Sequence, residues 1–346
     1  MQVKDVGEAR LIELLAKTLE AHGATSLNRA DARGVRLRLS IGDDAAAWDG
    51  PAGGRVLTTD TMVEGVHFNM ERIGWVDLGW KSVASVLSDI AAMGCAPLYS
   101  VVTLGLRGDQ PVEGLEEMYH GMSEVCQRYG GAIVGGEVVR SPVFFVNVAM
   151  VGTTPVPEGG DPYGQQILTR GAARVGDKIA VTGSLGCSAG GLRMMLQDLS
   201  IDEEMASHLA NAHHRPAPRV AEGMLLAEHG VGAAIDVSDG LVDDLGKLCV
   251  ASGVGARIHS DRVPVDEFLR RAFTHDWLSL ALSGGEDYEL IFSAPPQIMD
   301  DVESLLDVPV SVIGDVTEGP PGVTVLDAGG AVIPVESGGW DHFRDA

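Results

Sequence analysis

Leu11, Leu14, Leu15 and Leu19 recur three or four positions apart, which predicts an amphipathic helix near the start of the chain. Residues 39–47 follow, with a turn at Gly42-Asp43-Asp44. Residues 56–59 read as a short strand ending at Asp60. Val83, Val86, Leu87 and Ile90 share one face of a helix that Asp77 caps and Gly94 stops. A strand is expected at 101–106 and a helix at 115–129. Strands at 132–134 and 143–151 flank an expected turn at Gly135-Gly136-Glu137. Pro155, Pro157, Gly159, Gly160, Pro162 and Gly164 then interrupt the pattern, which puts a domain boundary there. Beyond it come a strand at 178–182, helices at 190–199 and 217–229, a strand at 233–237 and a helix at 241–251. Strands and helices mix in both halves, so two α/β-type sandwich domains with mixed sheets are expected, over 1–154 and 155–346.

A chain of 346 residues suits two domains. Its net charge of -24 argues against a general binder of nucleic acid or anionic membrane, which needs a basic surface. The same charge makes phosphate handling a puzzle that metal ions would resolve. The four cysteines are far apart with no C-x-x-C pair, so buried reduced thiols are expected rather than a zinc site. No secretory pattern opens the chain and no apolar run reaches bilayer length, so a cytoplasmic protein is expected.

The chemistry is in the placement of the acids. Asp43 and Asp44 lie in a glycine turn, Asp60 ends a strand, and Asp89 sits in the last turn of an apolar helix. Glu137 follows two glycines, and Asp236 and Asp239 flank Ser238. Each follows small or apolar residues rather than the mixed charges of a solvated face. Asp89 faces the negative end of its helix dipole and needs a compensating cation or donor. Lys81 or an arginine elsewhere is the alternative to a metal. Asp236 and Ser238, two apart on the expected strand, point to one side. Ser238 or Asp239 would also serve as a helix N-cap, which leaves Asp236 unexplained. Together the acids suit a hard cation such as Mg2+, which binds through few carboxylates plus substrate phosphates.

Other routes to phosphate fail. There is no G-x-x-x-x-G-K-[ST] and no kinase-type glycine loop with a strand lysine. The glycine-rich segment 182–191 would cradle an anion on its amides or serve as a plain tight connection, and both readings stay open. It also holds a G-x-S-x-G match at Ser188, for which Asp261 and His275 would have to be forced into the partner roles, with nothing local to support them. His213-His214 reads as a structural turn before Pro216 and Pro218, since adjacent side chains diverge.

The runs Ile41-Gly42-Asp43-Asp44-Ala45, Thr59 through Phe68 (TDTMVEGVHF), Leu87 through Gly94 (LSDIAAMG), Ile235 through Leu241, Ser283 through Leu290 (SGGEDYEL) and Trp340-Asp341-His342-Phe343 resemble the thiamine-monophosphate kinase family. They occur in the right order over nearly the whole chain. The VEGVHF and GGEDYEL runs separate this family from the related aminoimidazole ribonucleotide synthetases, selenophosphate synthetases and hydrogenase-maturation proteins. The resemblance implies direct transfer of a phosphoryl group from ATP to thiamine monophosphate, and a homodimer whose N-terminal sheets pair into a barrel. It implies that residues 1–154 bind metal and ATP and dimerise, and that 155–346 complete the ATP and acceptor sites. It assigns Asp44, Thr58, Thr59, Asp60, Asp89, Glu137, Asp236 and Asp239 to Mg2+, with Asp89 and Asp239 critical for catalysis. It assigns Gly136, Glu137, Arg170 and Ser238 to the nucleotide, and His67, Glu286 and Trp340 to the acceptor pocket.

Two departures stand out. Glu137 replaces the family's usual Asp, moving the charge outward by one methylene, and Val138-Val139 replace a usual Thr pair. Residues 156–165 look like an inserted surface loop. The departure at Glu137 leaves a non-catalytic nucleotide-binding paralogue as one alternative. An ATP-dependent synthetase on the same fold is another.

Overall fold

Alternation of buried and open positions builds the first sheet. Val146, Val148 and Met150 point into the core from one strand while their neighbours do not. The protein, seen in a computed structural model, is described over residues 36–39, 42–50, 53–154 and 167–335, with Arg10 and Lys17 besides. The leucine helix expected near the start, segment 156–165 and Trp340 lie outside the described residues.

Strands β1 (Arg36–Leu39), β2 (Ala46–Gly50), β3 (Gly53–Val63), β4 (Ala96–Leu106), β5 (Ala132–Arg140) and β6 (Phe145–Thr153) form a six-stranded sheet in the order β1-β2-β3-β6-β4-β5. All pairings are antiparallel except β4 with β5. The sheet stays open at β1 and β5. Helices α1 (Trp75–Ala92) and α2 (Val112–Tyr129) pack against each other beside it.

The second half holds β7 (Lys178–Thr182), α3 (Cys187–Leu196), α4 (Glu203–His214), α5 (Val220–Glu228), β8 (Ala233–Asp236), α6 (Leu241–Ser252) and β9 (Gly255–His259). It continues with α7 (Glu267–Ala272), α8 (Trp277–Ser283), β10 (Leu290–Ala294), α9 (Pro296–Leu305), β11 (Val310–Thr317), β12 (Gly322–Leu326) and β13 (Val332–Ile333). Its seven-stranded sheet runs β13-β12-β9-β11-β7-β10-β8, antiparallel except for β12 with β9.

Helix α1 joins the halves. From 78 to 92 every residue is buried except Asp89. A helix apolar on all sides belongs between two layers. Val83, Leu87 and Ile90 share one core with Val148 of β6, Leu226 of α5 and Phe292 of β10. The approach of α5 is close enough to require glycine: a Cβ on Gly223 would lie 2.0 Å from the Ala91 carbonyl oxygen. A separate core fills the second half, and a small cluster with Leu209 and Phe273 sits under α3, α4 and α7.

Two local expectations are corrected. Gly135-Gly136-Glu137 is not a turn, because β5 runs straight through it. Gly136 is there for strand contact: a Cβ would lie 2.0 Å from the Val102 carbonyl oxygen. His213-His214 is not a turn either but the end of α4, whose only buried residues are Leu209 and His213. Among the described residues no helix is long and apolar enough to cross a membrane.

Candidate active site

Three carboxylates converge where the halves meet. Oxygen atoms of Asp44, Asp89 and Asp236 all lie within 4.8 Å of one another. Asp44 comes from the turn before β2, Asp89 from the last turn of α1 and Asp236 from the end of β8. Arg170 Nη2 donates to Asp44 Oδ1 at 2.5 Å, and the Arg170 amide donates to Asp43 Oδ2 at 3.2 Å. Thr58 Oγ1 donates to Asp89 Oδ2 at 2.5 Å and Ser88 Oγ to Asp236 Oδ2 at 2.6 Å. No basic residue occupies the last turn of α1 to answer Asp89, and Lys81 is committed elsewhere.

Burial drives the electrostatics. It pushes the Asp89 carboxyl well above the usual carboxylate range, and the charges of Asp60, Asp236 and Asp44 push it further. Asp236 is raised by burial, then by Asp44 and Asp244. Asp43 is raised to about 6 by burial and by Asp44. Asp44 Oδ2 is buried without a hydrogen-bond partner. An all-oxygen donor set with one orphaned oxygen fits a hard divalent cation, whose charge would offset this crowding.

A second group lies beside the first. Burial raises Asp60 against a hydrogen bond from Ser85, and the charges of Asp239 and Glu286 add to the rise. Asp239 is held by Lys247, which also bonds Asp244 at 2.8 Å. Asp244 is a functional residue that the sequence reading misses. Its Oδ2 accepts the amides of Ser238, Asp239 and Gly240 at 3.0, 2.9 and 3.0 Å, which shapes the loop carrying Asp239. The available signal is the acidic pair Asp243-Asp244 in the first turn of α6, where acids meet free amides. Neither Ser238 nor Asp239 caps that helix, and β8 ends at Asp236, so Ser238 is not on the strand.

The glycine-rich segment 182–191 is already satisfied internally. The amides of Gly186 and Ser188 donate to Asp287 at 2.6 and 3.2 Å, so they offer no open anion cradle. Ser188 is buried, and its hydroxyl meets His213 Nδ1 at 3.0 Å rather than the His275 and Asp261 of a hydrolase arrangement.

Around the expected acceptor pocket, Lys81 Nζ lies 2.9 Å from Glu286 Oε1. Burial alone would raise the Glu286 carboxyl, but the Lys81 ammonium outweighs it, and the value falls below the usual range. His67 Nδ1 accepts the Val63 amide at 3.0 Å, leaving Nε2 to carry the ring proton.

Other expected residues are not brought to the acids. Strand alternation turns Thr59 to the opposite face from Thr58 and Asp60, where Asn147 donates to it at 2.8 Å. Gly136 and Glu137 lie on β5, three strands from β3, and Glu137 is exposed, accepting only its neighbour Val138's amide at 3.2 Å. Within one chain, neither reaches the carboxylate cluster.

Comparison with known proteins gives the family. A family model described as AIR synthase related protein, N-terminal domain, matches residues 42–154, and its C-terminal counterpart matches 174–327. A thiamine-monophosphate kinase of Aquifex aeolicus is 32% identical, covering 99% of this chain and 100% of its own. That of Escherichia coli K12 is 34% identical over 92% of this chain and 96% of its own. A solved structure, AaThiL complexed with AMPPCP and TMP, superposes with a TM-score of 0.83 at 32% identity and covers 99% of both chains. Hydrogenase maturation protein HypE in complex with ATP shares the fold, with a TM-score of 0.67 at 21% identity over 87% of this chain and 86% of its own. With this identity over nearly its full length, the chain belongs to the thiamine-monophosphate kinases of the AIR synthase related family.

Proposed function

We propose that the chain transfers the γ-phosphoryl group of ATP directly to thiamine monophosphate, giving thiamine diphosphate and ADP. The observation that carries the reading is the convergence of Asp44, Asp89 and Asp236 from both halves, with one buried oxygen left unsatisfied. Asp44, Asp89 and Asp236 would hold Mg2+, joined by Asp60, Asp239 and the Thr58 hydroxyl at the edges of the cluster. When bound, the cation neutralises charge on the nucleotide phosphates.

The chain's own residues supply positioning. Arg170 fixes Asp44 and presents a guanidinium, kept charged by Asp44 against the cost of burial, at the nucleotide side. Asp244 fixes the backbone of 238–240, and with it Asp239. Glu286 and His67 orient the acceptor. In this reading residues 1–154 bind metal and nucleotide and form the dimer contact, while 155–346 complete both substrate sites.

We also infer a homodimer working in the cytoplasm. The open sheet face carries Tyr99 at 58% exposure, Val101 at 44% and Leu57 at 43%, an apolar surface suited to a second copy. Glu137 sits on that face and serves the partner's site rather than its own.

The direct test incubates the protein with ATP, Mg2+ and thiamine monophosphate and follows products by phosphorus NMR. Thiamine diphosphate and ADP should appear in equal amounts and vanish with EDTA. No thiamine diphosphate at high enzyme concentration rejects the reading.

A further inference from the structure

Lys81 is a lysine whose side chain is only 1% exposed, which is costly unless its charge is well answered. Its Nζ lies 2.9 Å from Glu286 Oε1 and 3.1 Å from His213 Nε2. An ammonium only donates, so Nε2 of His213 accepts and the neutral ring carries its proton on Nδ1. Burial and then Lys81 press the His213 value down to about 3, which keeps the ring neutral. Its Nδ1 faces Ser188 Oγ at 3.0 Å and Glu286 Oε2 at 3.5 Å.

Glu286 therefore has Oε1 held from behind by Lys81 and Oε2 backed by the His213 ring. Its backbone is fixed as well, in the left-handed region at φ 64° with its amide on the Ser238 carbonyl at 2.8 Å. The partners come from four places: α1, the start of α3, the end of α4 and the loop after β8. The carboxylate nevertheless remains 27% exposed, with the charge of Asp60 near enough to act on it. An apolar cluster of similar volume would hold the fold at least as well, so a buried lysine and histidine behind one open carboxylate call for a further role.

We propose that Lys81 and His213 are positioning residues that lock Glu286 as an oriented hydrogen-bond acceptor for an N–H donor of the phosphate acceptor. This rests on the kinase reading above and specifies how its acceptor subsite works. Lys81 cancels the charge of Glu286, so the carboxylate recognises a directed N–H, such as the amino group of an aminopyrimidine, rather than a cationic ring.

The test is calorimetric binding to the full chain of thiamine monophosphate, and separately of a non-hydrolysable ATP analogue with Mg2+. Lys81→Met and His213→Gln should each weaken thiamine monophosphate at least tenfold and the nucleotide less than twofold. In a Glu286→Gln background, adding Lys81→Met should change acceptor affinity by less than twofold, because Lys81 acts through that carboxylate. That double variant removes both charges and stays folded if Lys81→Met alone does not. Unchanged acceptor affinity in His213→Gln, or fully additive losses in the double variant, overturns the positioning role and leaves the kinase reading intact. A parent chain that binds nucleotide but no thiamine monophosphate overturns the kinase reading, and this inference with it.

Discussion

Replacing Asp89 by Asn should make the metal-free protein more stable and at the same time remove its response to Mg2+. Asp89 lies within 4.8 Å of both Asp44 and Asp236, measured between oxygens. At an effective dielectric near 20, each ionised pair at that distance repels by roughly 3 kcal/mol. The cluster relieves part of this by holding a proton, as the raised values of Asp89 and Asp236 require. The net gain expected from Asp89→Asn is then about 1–3 kcal/mol, because the amide oxygen still accepts from Thr58. The assay is thermal unfolding of parent and variant, each in EDTA and in saturating Mg2+. In EDTA the variant should melt higher, by about 2–4 °C per kcal/mol. Mg2+ at a hundred times its dissociation constant should stabilise the parent by about 2.7 kcal/mol and the variant by far less. The pH dependence has a definite sign. Folded values above the unfolded 3.8 mean that the folded chain binds protons more tightly, so metal-free stability falls as pH rises from about 4 through the raised values. Mg2+ should flatten that fall. A variant that melts lower in EDTA, with its Mg2+ shift intact, refutes the argument.

Three further outcomes are expected. Asp244→Ala strands the amides of 238–240, so it should cost about 1–3 kcal/mol and weaken nucleotide binding, checked by melting and calorimetry. Gly223→Ala forces α5 and α1 apart at the Ala91 carbonyl and should cost about 1–3 kcal/mol in denaturant titrations, with lower kcat because Asp89 rides on α1. Tyr99→Asp should shift the chain from dimer to monomer in sedimentation velocity and lower activity, whereas Glu137→Asp should be tolerated.

Asp44, Asp89 and Asp236 are legible in the amino-acid sequence because each stands out against small or apolar neighbours, and so is the helix that bears Asp89. Residues whose importance is purely three-dimensional stay hidden there. Asp244 looks like an ordinary first-turn acid until its carboxylate folds back on three amides. α4 buries too few residues to leave an apolar period, so nothing in the spacing marks His213 as helical. Gly135-Gly136 misleads for the opposite reason: glycine serves close strand approach as readily as a turn, and only the neighbouring Val102 carbonyl distinguishes the two. Adjacency groups Thr59 with Thr58, although the pleat sends them to opposite sides.

Lys81 and Asp89 ride on one uninterrupted helix. Eight residues of α-helix span about 12 Å. That rod therefore acts as a ruler between the donor end of the cleft and the acceptor end. The separation of these two side chains along the cleft is set by helix geometry, not by how the two sheets happen to lean on each other. Inserting a single residue between them would turn one end by about 100° relative to the other. Such a change would leave two intact half-sites facing different directions.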